Sequence, residues 1–201
     1  MIPLLVVAIA YLMGGIPFGY LLVKLTTGAD VRHEGSGNIG ATNVLRTTGR
    51  AAGVATLLFD MGKGYLAVWL AGRLTDHSPL WMAAAALAVM AGHAYPVFLR
   101  FKGGKAVACF VGAFLCLTPV ALGATLLVFV VTVAWTRYIS MGSIVAAATF
   151  PLAVWLIQRP TAPVILAAFL AGGFIIYRHS NNIRRLRDGQ ELAFRFGAPK
   201  S

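Results

Sequence analysis

Charged residues are scarce in this 201-residue chain. They make up 11% of it, and only six of them are acidic. Hydrophobic residues make up 59%, and the mean hydropathy is +0.79. A soluble domain of this length does not bury so much apolar surface, so the composition predicts a bundle of transmembrane helices. The apolar runs are continuous and do not alternate, which argues against an outer-membrane barrel.

Common catalytic signatures are also missing. The chain has no GxSxG segment, and no histidine is followed by an aspartate five residues later, so neither a Ser–His–Asp triad nor a His/Asp acyltransferase motif is supported. The two cysteines, Cys109 and Cys116, lie in one apolar run without a CxxC pair. We therefore predict buried thiols, no metal site and no cofactor.

The apolar segments predict the membrane topology. They lie near residues 2–23, 51–72, 80–99, 106–135, 139–157 and 163–177. As one helix the fourth would be about 45 Å long, against a hydrocarbon core of about 30 Å, and Thr118-Pro119 can divide it in two. The division gives seven spans, with fourteen of the 17 Lys and Arg on the inner side and two outside.

We therefore predict an all-α integral membrane protein with seven transmembrane helices, formed as a single domain over residues 1–201. Its N-terminus is expected outside and its C-terminus in the cytoplasm, where the cytoplasmic loops form the active site. The first cation, Lys24, follows the first apolar run, so this run is expected to be a span and not a cleaved signal peptide. The net charge of +11 favours anionic lipids or substrates, and no nucleic-acid partner is predicted.

The segment GSGNIGATNVLRTTG, residues 35–49, is rich in glycine, asparagine and threonine and contains no acid. Glycines allow backbone N–H groups to converge, and short polar side chains add donors, so the segment favours a phosphate. It contains GxGxxG, but it follows a transmembrane run and not a strand, which excludes a dinucleotide fold. A flexible loop between helices is the alternative. The candidate residues are Gly35, Ser36, Gly37, Asn38, Gly40, Thr42, Asn43 and Arg46.

Two later segments carry cations on the same predicted side. FKGGK places Lys102 and Lys105 around Gly103 and Gly104 before an apolar helix, where backbone N–H groups and a lysine attract an anion. RHSNNIRRLRDGQE places His179 and Asn182 three residues apart, on one face of a continuing helix. Simpler interpretations remain open: a positively charged inner loop for the first, and a basic tail that binds anionic lipids for the second.

Four further polar residues lie within or beside the apolar runs. Asp60 and Lys63 are expected inside the second run, where charges are costly and suggest function, although the two can simply pair with each other. His93 either bonds a neighbouring carbonyl or orients a site residue. Ser143, at the inner start of a span, either donates to a ligand or caps the helix.

Taken with FDMGKG, the segments GSGNIGATNVLRTTG, GHAYPVFLRFKGGKAVA and RHSNNIRRL resemble the signature segments of the PlsY family in order and spacing. These are bacterial membrane glycerol-3-phosphate acyltransferases that use acyl phosphate. The resemblance implies seven spans, a cytoplasm-facing site in the bacterial inner membrane, and lysophosphatidate as product. It implies neither acyl-CoA nor acyl carrier protein as donor, and no obligate protein partner is evident. The matching key positions are Ser36, Arg46, Lys105, His179 and Asn182.

The mechanism we expect is direct attack of the glycerol C1 hydroxyl on the acyl carbonyl. The 35–43 segment would hold the acyl phosphate, Arg46 and Lys105 would neutralise charge, and His179 with Asn182 would position glycerol 3-phosphate. The proton acceptor is either His179 or the leaving phosphate. A transporter would need polar groups near the midplane, and a scaffold would not need the 35–49 segment, so both are weaker alternatives.

Overall fold

The computed structural model describes residues 1–194, and all regular structure in that range is helical. Short 3-10 turns occur at Val31–His33 and Val97–Leu99. Arg195 and Lys200, which entered the charge count above, lie outside the described residues. The α-helices are α1 Ile2–Gly15, α2 Phe18–Thr27, α3 Ala41–Thr47, α4 Arg50–Leu74, α5 Pro79–Ala94, α6 Val107–Leu117, α7 Pro119–Thr136, α8 Ile139–Gln158, α9 Ala162–Arg178 and α10 Ser180–Arg187.

Five candidate membrane spans are long and apolar enough to cross a bilayer within residues 1–194. They are α1 with α2 as one 26-residue segment, α4, α5 with the turn that follows it, α7 and α8. A sixth is available if α9 and α10, which meet at a bend of 54°, count as one broken span. The apolar helix α6, with 11 residues, is shorter. The chain thus has the helices of a multi-pass membrane protein.

The predicted break in the fourth apolar run is confirmed. α6 ends at Leu117, and the backbone of Thr118 leaves the helical region with φ −143° and ψ 62°. Proline is favoured in the first turn of a helix, because it lacks the N–H that would be unpaired there, and Pro119 begins α7. The backbone N–H of Ala121 donates to the side chain of Gln158 at 3.1 Å, so the start of α7 lies beside the end of α8.

The opposite end of the bundle gathers the polar segments. There the backbone N–H of Phe194 donates to the carbonyl of Arg137 at 2.7 Å. This bond joins residues 188–194, which we call the C-terminal segment, to the α7–α8 turn. The Ser140 hydroxyl donates to Glu191 at 2.8 Å. We call this the polar end of the bundle.

Small residues bring the helices close together. A Cβ at Gly14 would meet the carbonyl of Val89, and one at Gly112 would meet the carbonyl of Met61, so α1 lies against α5 and α6 against α4 at backbone distance. Close packing through small residues is typical of helices in lipid, where no hydrophobic force drives their association. The outward faces carry large apolar side chains such as Leu127, which is 65% exposed.

Candidate active site

The 28–49 segment, between α2 and α4, is organised around the side chain of Asn43, which is 2% exposed. Its Nδ2 donates to the carbonyls of Asn38 at 2.8 Å, Glu34 at 3.1 Å and Val31 at 3.3 Å, and its Oδ1 accepts from the N–H of Ser36 at 2.8 Å. This network fixes the segment, so it is not the flexible loop of the alternative interpretation. Asn43 itself has its amide group engaged by the protein.

Gly35 lies directly beside this network. Its φ is +56°, a conformation that favours glycine, and a Cβ there would meet Oδ1 of Asn43. The N–H of Gly40 donates to the side chain of Asn38 at 2.8 Å, and the N–H of Gly37 donates to the carbonyl of Glu34 at 2.9 Å. Several N–H groups that we expected to face a phosphate therefore bond within the segment.

The Gly103–Gly104 turn, between α5 and α6, is held from two sides. The N–H of Gly103 donates to the carbonyl of Ala94, and that of Gly104 to the carbonyl of His93, both at 3.1 Å. The guanidinium of Arg178 donates to both glycine carbonyls at 3.0–3.3 Å. The end of α5 thus accepts both glycine N–H groups, and anion binding at the start of α6 stays a prediction.

The bend between α9 and α10 carries the third motif. His179, 3% exposed, lies at the bend, and its Nδ1 is 2.8 Å from the carbonyl of Ile175. That carbonyl accepts only from a protonated Nδ1, which leaves Nε2 without a proton in the neutral ring. Burial lowers the pKa of His179 to about 4, and the ammonium of Lys105 adds to the effect. The imidazole is accordingly neutral at pH 7.

The three motifs meet around one cavity of about 190 Å³ at the polar end of the bundle. Its lining is almost entirely polar and includes a lysine and two arginines, which makes it suited to an anion. The lining residues are Ser36, Asn38, Lys105, Tyr177, Arg178, Ser180, Asn181, Asn182 and Arg185.

Lys105 has a lowered pKa. Burial lowers it to about 8, the guanidinium groups of Arg185, Arg46 and Arg178 contribute, and the carboxylate of Glu191 opposes them. Burial also lowers the pKa of Arg46, which nonetheless stays a cation because a guanidinium does not deprotonate in proteins. A dianion in the cavity would relieve the repulsion among these cations.

Glu191 is an acidic residue at this site that sequence reasoning missed. Its carboxylate accepts from Asn182 at 2.6 Å, from Ser140 at 2.8 Å and from Arg185 at 2.7 Å. Burial opposes its ionisation, but these three hydrogen bonds outweigh it and lower its pKa. The scarcity of acids offered the signal, since two of the chain's six acids, Asp188 and Glu191, follow the arginines of this segment.

Arg46 lies beside this C-terminal segment. Its Nη2 donates to the carbonyl of Leu192 at 3.0 Å. The sequence left open that Arg184, Arg185 and Arg187 bind only anionic lipids, but Arg185 lies at the cavity together with Arg178.

Several predicted residues lie away from the cavity. The side chain of Lys102 is exposed to solvent. Ser143 is 4% exposed and donates to the carbonyl of Ile139 at 2.9 Å, one turn earlier in α8. The cavity wall also does not include Thr42. Ser143 instead lines a second, apolar crevice of about 30 Å³ between α6, α7, α8 and α9.

The predicted intramembrane ion pair is present in the second span. Lys63 Nζ lies 2.7 Å from Asp60 Oδ1, and both side chains are buried. His93 Nδ1 lies 3.5 Å from the same oxygen. The three residues form a cluster beneath the Gly103–Gly104 turn.

A cation-lined cavity at one end of a bundle of apolar helices is the arrangement expected of a membrane enzyme that binds an anionic substrate. The sequence model of the glycerol-3-phosphate acyltransferase family matches residues 4–189. Glycerol-3-phosphate acyltransferases of Geobacter sulfurreducens and Trichlorobacter lovleyi are 48% and 50% identical to the chain over 192 and 190 residues. The alignments cover 96% and 94% of this chain and 97% and 96% of those proteins. The chain belongs to the glycerol-3-phosphate acyltransferase family.

Solved structures agree with this assignment. The crystal structure of PlsY, an integral membrane glycerol 3-phosphate acyltransferase, in its glycerol 3-phosphate form has a TM-score of 0.90 at 39% identity. Its lysophosphatidic acid form has a TM-score of 0.87 at 37% identity. Each similarity covers 96% of this chain, and 96% and 95% of the respective PlsY chains. The resemblance to the PlsY family is confirmed.

Proposed function

We propose that the protein transfers a fatty acyl group from acyl phosphate to the 1-hydroxyl of glycerol 3-phosphate. The products are lysophosphatidate and phosphate, and the reaction is the first acylation of bacterial phospholipid synthesis. The observation that carries this proposal is the cavity in which Lys105, Arg178 and Arg185 face Ser36, Asn38 and Asn182. Both substrates carry a phosphate, and this wall offers cations together with amide and hydroxyl donors.

The membrane arrangement we propose is seven spans in the bacterial inner membrane, with the N-terminus outside and the polar end of the bundle in the cytoplasm. Two contacts support it. The start of α7 lies beside the end of α8, and the α7–α8 turn lies beside the C-terminal segment at the polar end. Both contacts are expected if α6, which is about 17 Å long, begins below the membrane surface at the polar end and leads from there to the opposite end.

The phosphate-binding residues follow from the cavity lining. Ser36 and Asn38 would bind a phosphate, with Lys105 neutralising its charge and that of the developing oxyanion. Arg46 does not line the cavity and would contribute through its nearby charge. Asn182 would position glycerol 3-phosphate. Asn43 and the Gly103–Gly104 turn hold these groups in place and do not contact the ligand themselves.

The first part of the acyl chain would lie at the apolar crevice, which at about 30 Å³ is too small for a whole fatty acyl chain, and the rest would extend into the bilayer. Val107 lines it two residues after Lys105, and Ile175 lines it one turn before His179. The reacting carbonyl would then lie between the crevice and the polar cavity. A chain entering from the bilayer would not have to cross the cationic wall.

The leaving phosphate is the proton acceptor that we favour. The hydroxyl oxygen forms a bond to the acyl carbon, the bond from that carbon to the phosphate oxygen breaks, and the hydroxyl proton passes to the departing phosphate. The departing phosphate takes up the electron pair of the broken bond and so becomes a base, whereas burial lowers the pKa of His179 to about 4 and makes its ring a weak base. His179 would instead fix the α9–α10 bend that carries Asn182.

A side-by-side donor assay tests this function. The purified protein, given glycerol 3-phosphate and either palmitoyl phosphate or palmitoyl-CoA, should form lysophosphatidate only from the acyl phosphate. Efficient use of the CoA thioester would contradict the donor assignment. His179→Gln should retain substantial turnover at saturating substrate, and a complete loss would return the role of base to His179.

A further inference from the structure

The cluster formed by Asp60, Lys63 and His93 places charge inside the membrane-embedded part of the bundle. The three side chains are 2%, 4% and 4% exposed. Asp60 Oδ1 lies 2.7 Å from Lys63 Nζ and 3.5 Å from His93 Nδ1, and that ring nitrogen has no hydrogen bond among residues 1–194. Charged groups inside a membrane bundle are costly, and their presence indicates that they have a function.

The His93 ring contacts the loop that precedes Lys105. A Cβ at Gly104 would meet Nε2 of this ring, so the ring lies directly against the glycine. The carbonyl of His93 also accepts the N–H of Gly104, and Arg178 holds the same turn from the other side. Lys105, the next residue, reaches the cavity wall from this turn.

Lys63 connects the same cluster to the other phosphate motif. Its ammonium donates to the carbonyl of Ile16 at 2.7 Å, at the break between α1 and α2. α2 begins two residues later, and a Cβ at Gly19 within it would meet the carbonyl of Ile39. Contacts therefore run from Lys63 through α2 to the 35–43 segment.

We propose that Asp60, Lys63 and His93 are positioning residues, which set the Gly103–Gly104 turn and thereby direct Lys105 into the cavity. This inference rests on the proposed function for the role of Lys105. Lys63 fixes the Asp60 carboxylate, the carboxylate orients the imidazole, and the imidazole supports Gly104. Cys109 lies within 4.8 Å of Asp60 and His93, as metal ligands would, but the ammonium of Lys63 already occupies the cation position beside the carboxylate.

Hydrogen exchange of the purified protein tests the structural half of this proposal. His93→Gln should raise amide exchange in residues 100–106 at least tenfold and leave α8 unchanged, because the Gly103 and Gly104 N–H groups lose their support. Cys109→Ala, in the same cluster, is the matched control and should leave 100–106 unchanged. Unaltered exchange in 100–106, or an equal rise in α8, would overturn the proposal. If His93→Gln does not fold, the same exchange measurement is made on Asp60→Asn, for which the same result is expected.

A double-mutant cycle tests the functional half. In the enzyme that keeps Lys105, His93→Gln should lower kcat/KM at least tenfold, since a misplacement of the lysine by about 1 Å costs on the order of 100-fold. It should lower kcat/KM less than twofold in a Lys105→Met background, because it acts through that residue. Equal losses in both backgrounds would overturn the proposal. If Lys105→Met has no measurable turnover, the exchange of residues 100–106 in His93→Gln decides whether the proposal stands. Absence of product from the unaltered enzyme would instead refute the proposed function and leave the exchange result valid.

Discussion

The lowered pKa of Lys105 makes a quantitative prediction about pH. With a pKa of about 8, roughly 90% of this side chain is charged at pH 7 and roughly 10% at pH 9. Phosphate binding needs the ammonium form, so kcat/KM should fall about tenfold between pH 7 and pH 9. Below pH 7 the lysine is fully charged and contributes no further change.

Lys105→Arg separates this group from others that titrate in the alkaline range. A guanidinium stays charged throughout, so the variant should lose the fall between pH 7 and pH 9 even if its maximal rate is lower. Lys102→Arg, on an exposed lysine three residues earlier, is the matched control and should keep the fall. Initial rates with acyl phosphate across pH 6–9.5 provide the measurement. A profile for Lys105→Arg identical to that of the unaltered enzyme would refute the reasoning.

Three further perturbations have expected outcomes. Asn43→Asp replaces the amide donor to three carbonyls with an oxygen that repels them, so the midpoint of thermal unfolding and activity should both fall, and an unchanged midpoint would contradict the role of Asn43. Gly104→Ala should lower kcat/KM because its Cβ meets the His93 ring. Gly62→Ala, with open space around it, is the control and should behave as the unaltered enzyme. Equal kinetics of the two variants would contradict this expectation. Glu191→Gln removes the ion pair with Arg185, so Asn182 and Arg185 lose the carboxylate that orients them. The variant should therefore bind glycerol 3-phosphate more weakly in calorimetry, and an unchanged Kd would contradict this.

The positions of the motifs could be predicted because the bilayer limits the possible arrangements. Long apolar runs separated by basic segments indicate spans, and a proline in the middle of an overlong run indicates a break, as found at Pro119. Once the segments are assigned to one side, the proximity of Ser36, Lys105 and Asn182 follows. The Asp60–Lys63 ion pair could also be predicted from the sequence, since residues three apart on a helix are neighbours.

The use of individual polar groups could not be predicted. A glycine-rich segment exposes N–H groups in principle, but whether they meet a ligand or a carbonyl depends on distant elements, as with Gly104 and the end of α5. Ser143 illustrates a local competitor, because a serine in a helix can donate to the carbonyl four residues earlier. Two partners of Glu191, Asn182 and Arg185, lie in its own segment, but the third, Ser140, is 51 residues away, and nothing in the sequence relates that pair.

The central claim is that the cavity between the three motifs binds the substrate phosphates. A structure of the protein with glycerol 3-phosphate bound tests it most directly. The account predicts the phosphorus atom within the 190 Å³ cavity, with its oxygens in hydrogen-bond contact with the Lys105 ammonium. A phosphate bound elsewhere, with Lys105 and Asn182 free of it, would contradict the account.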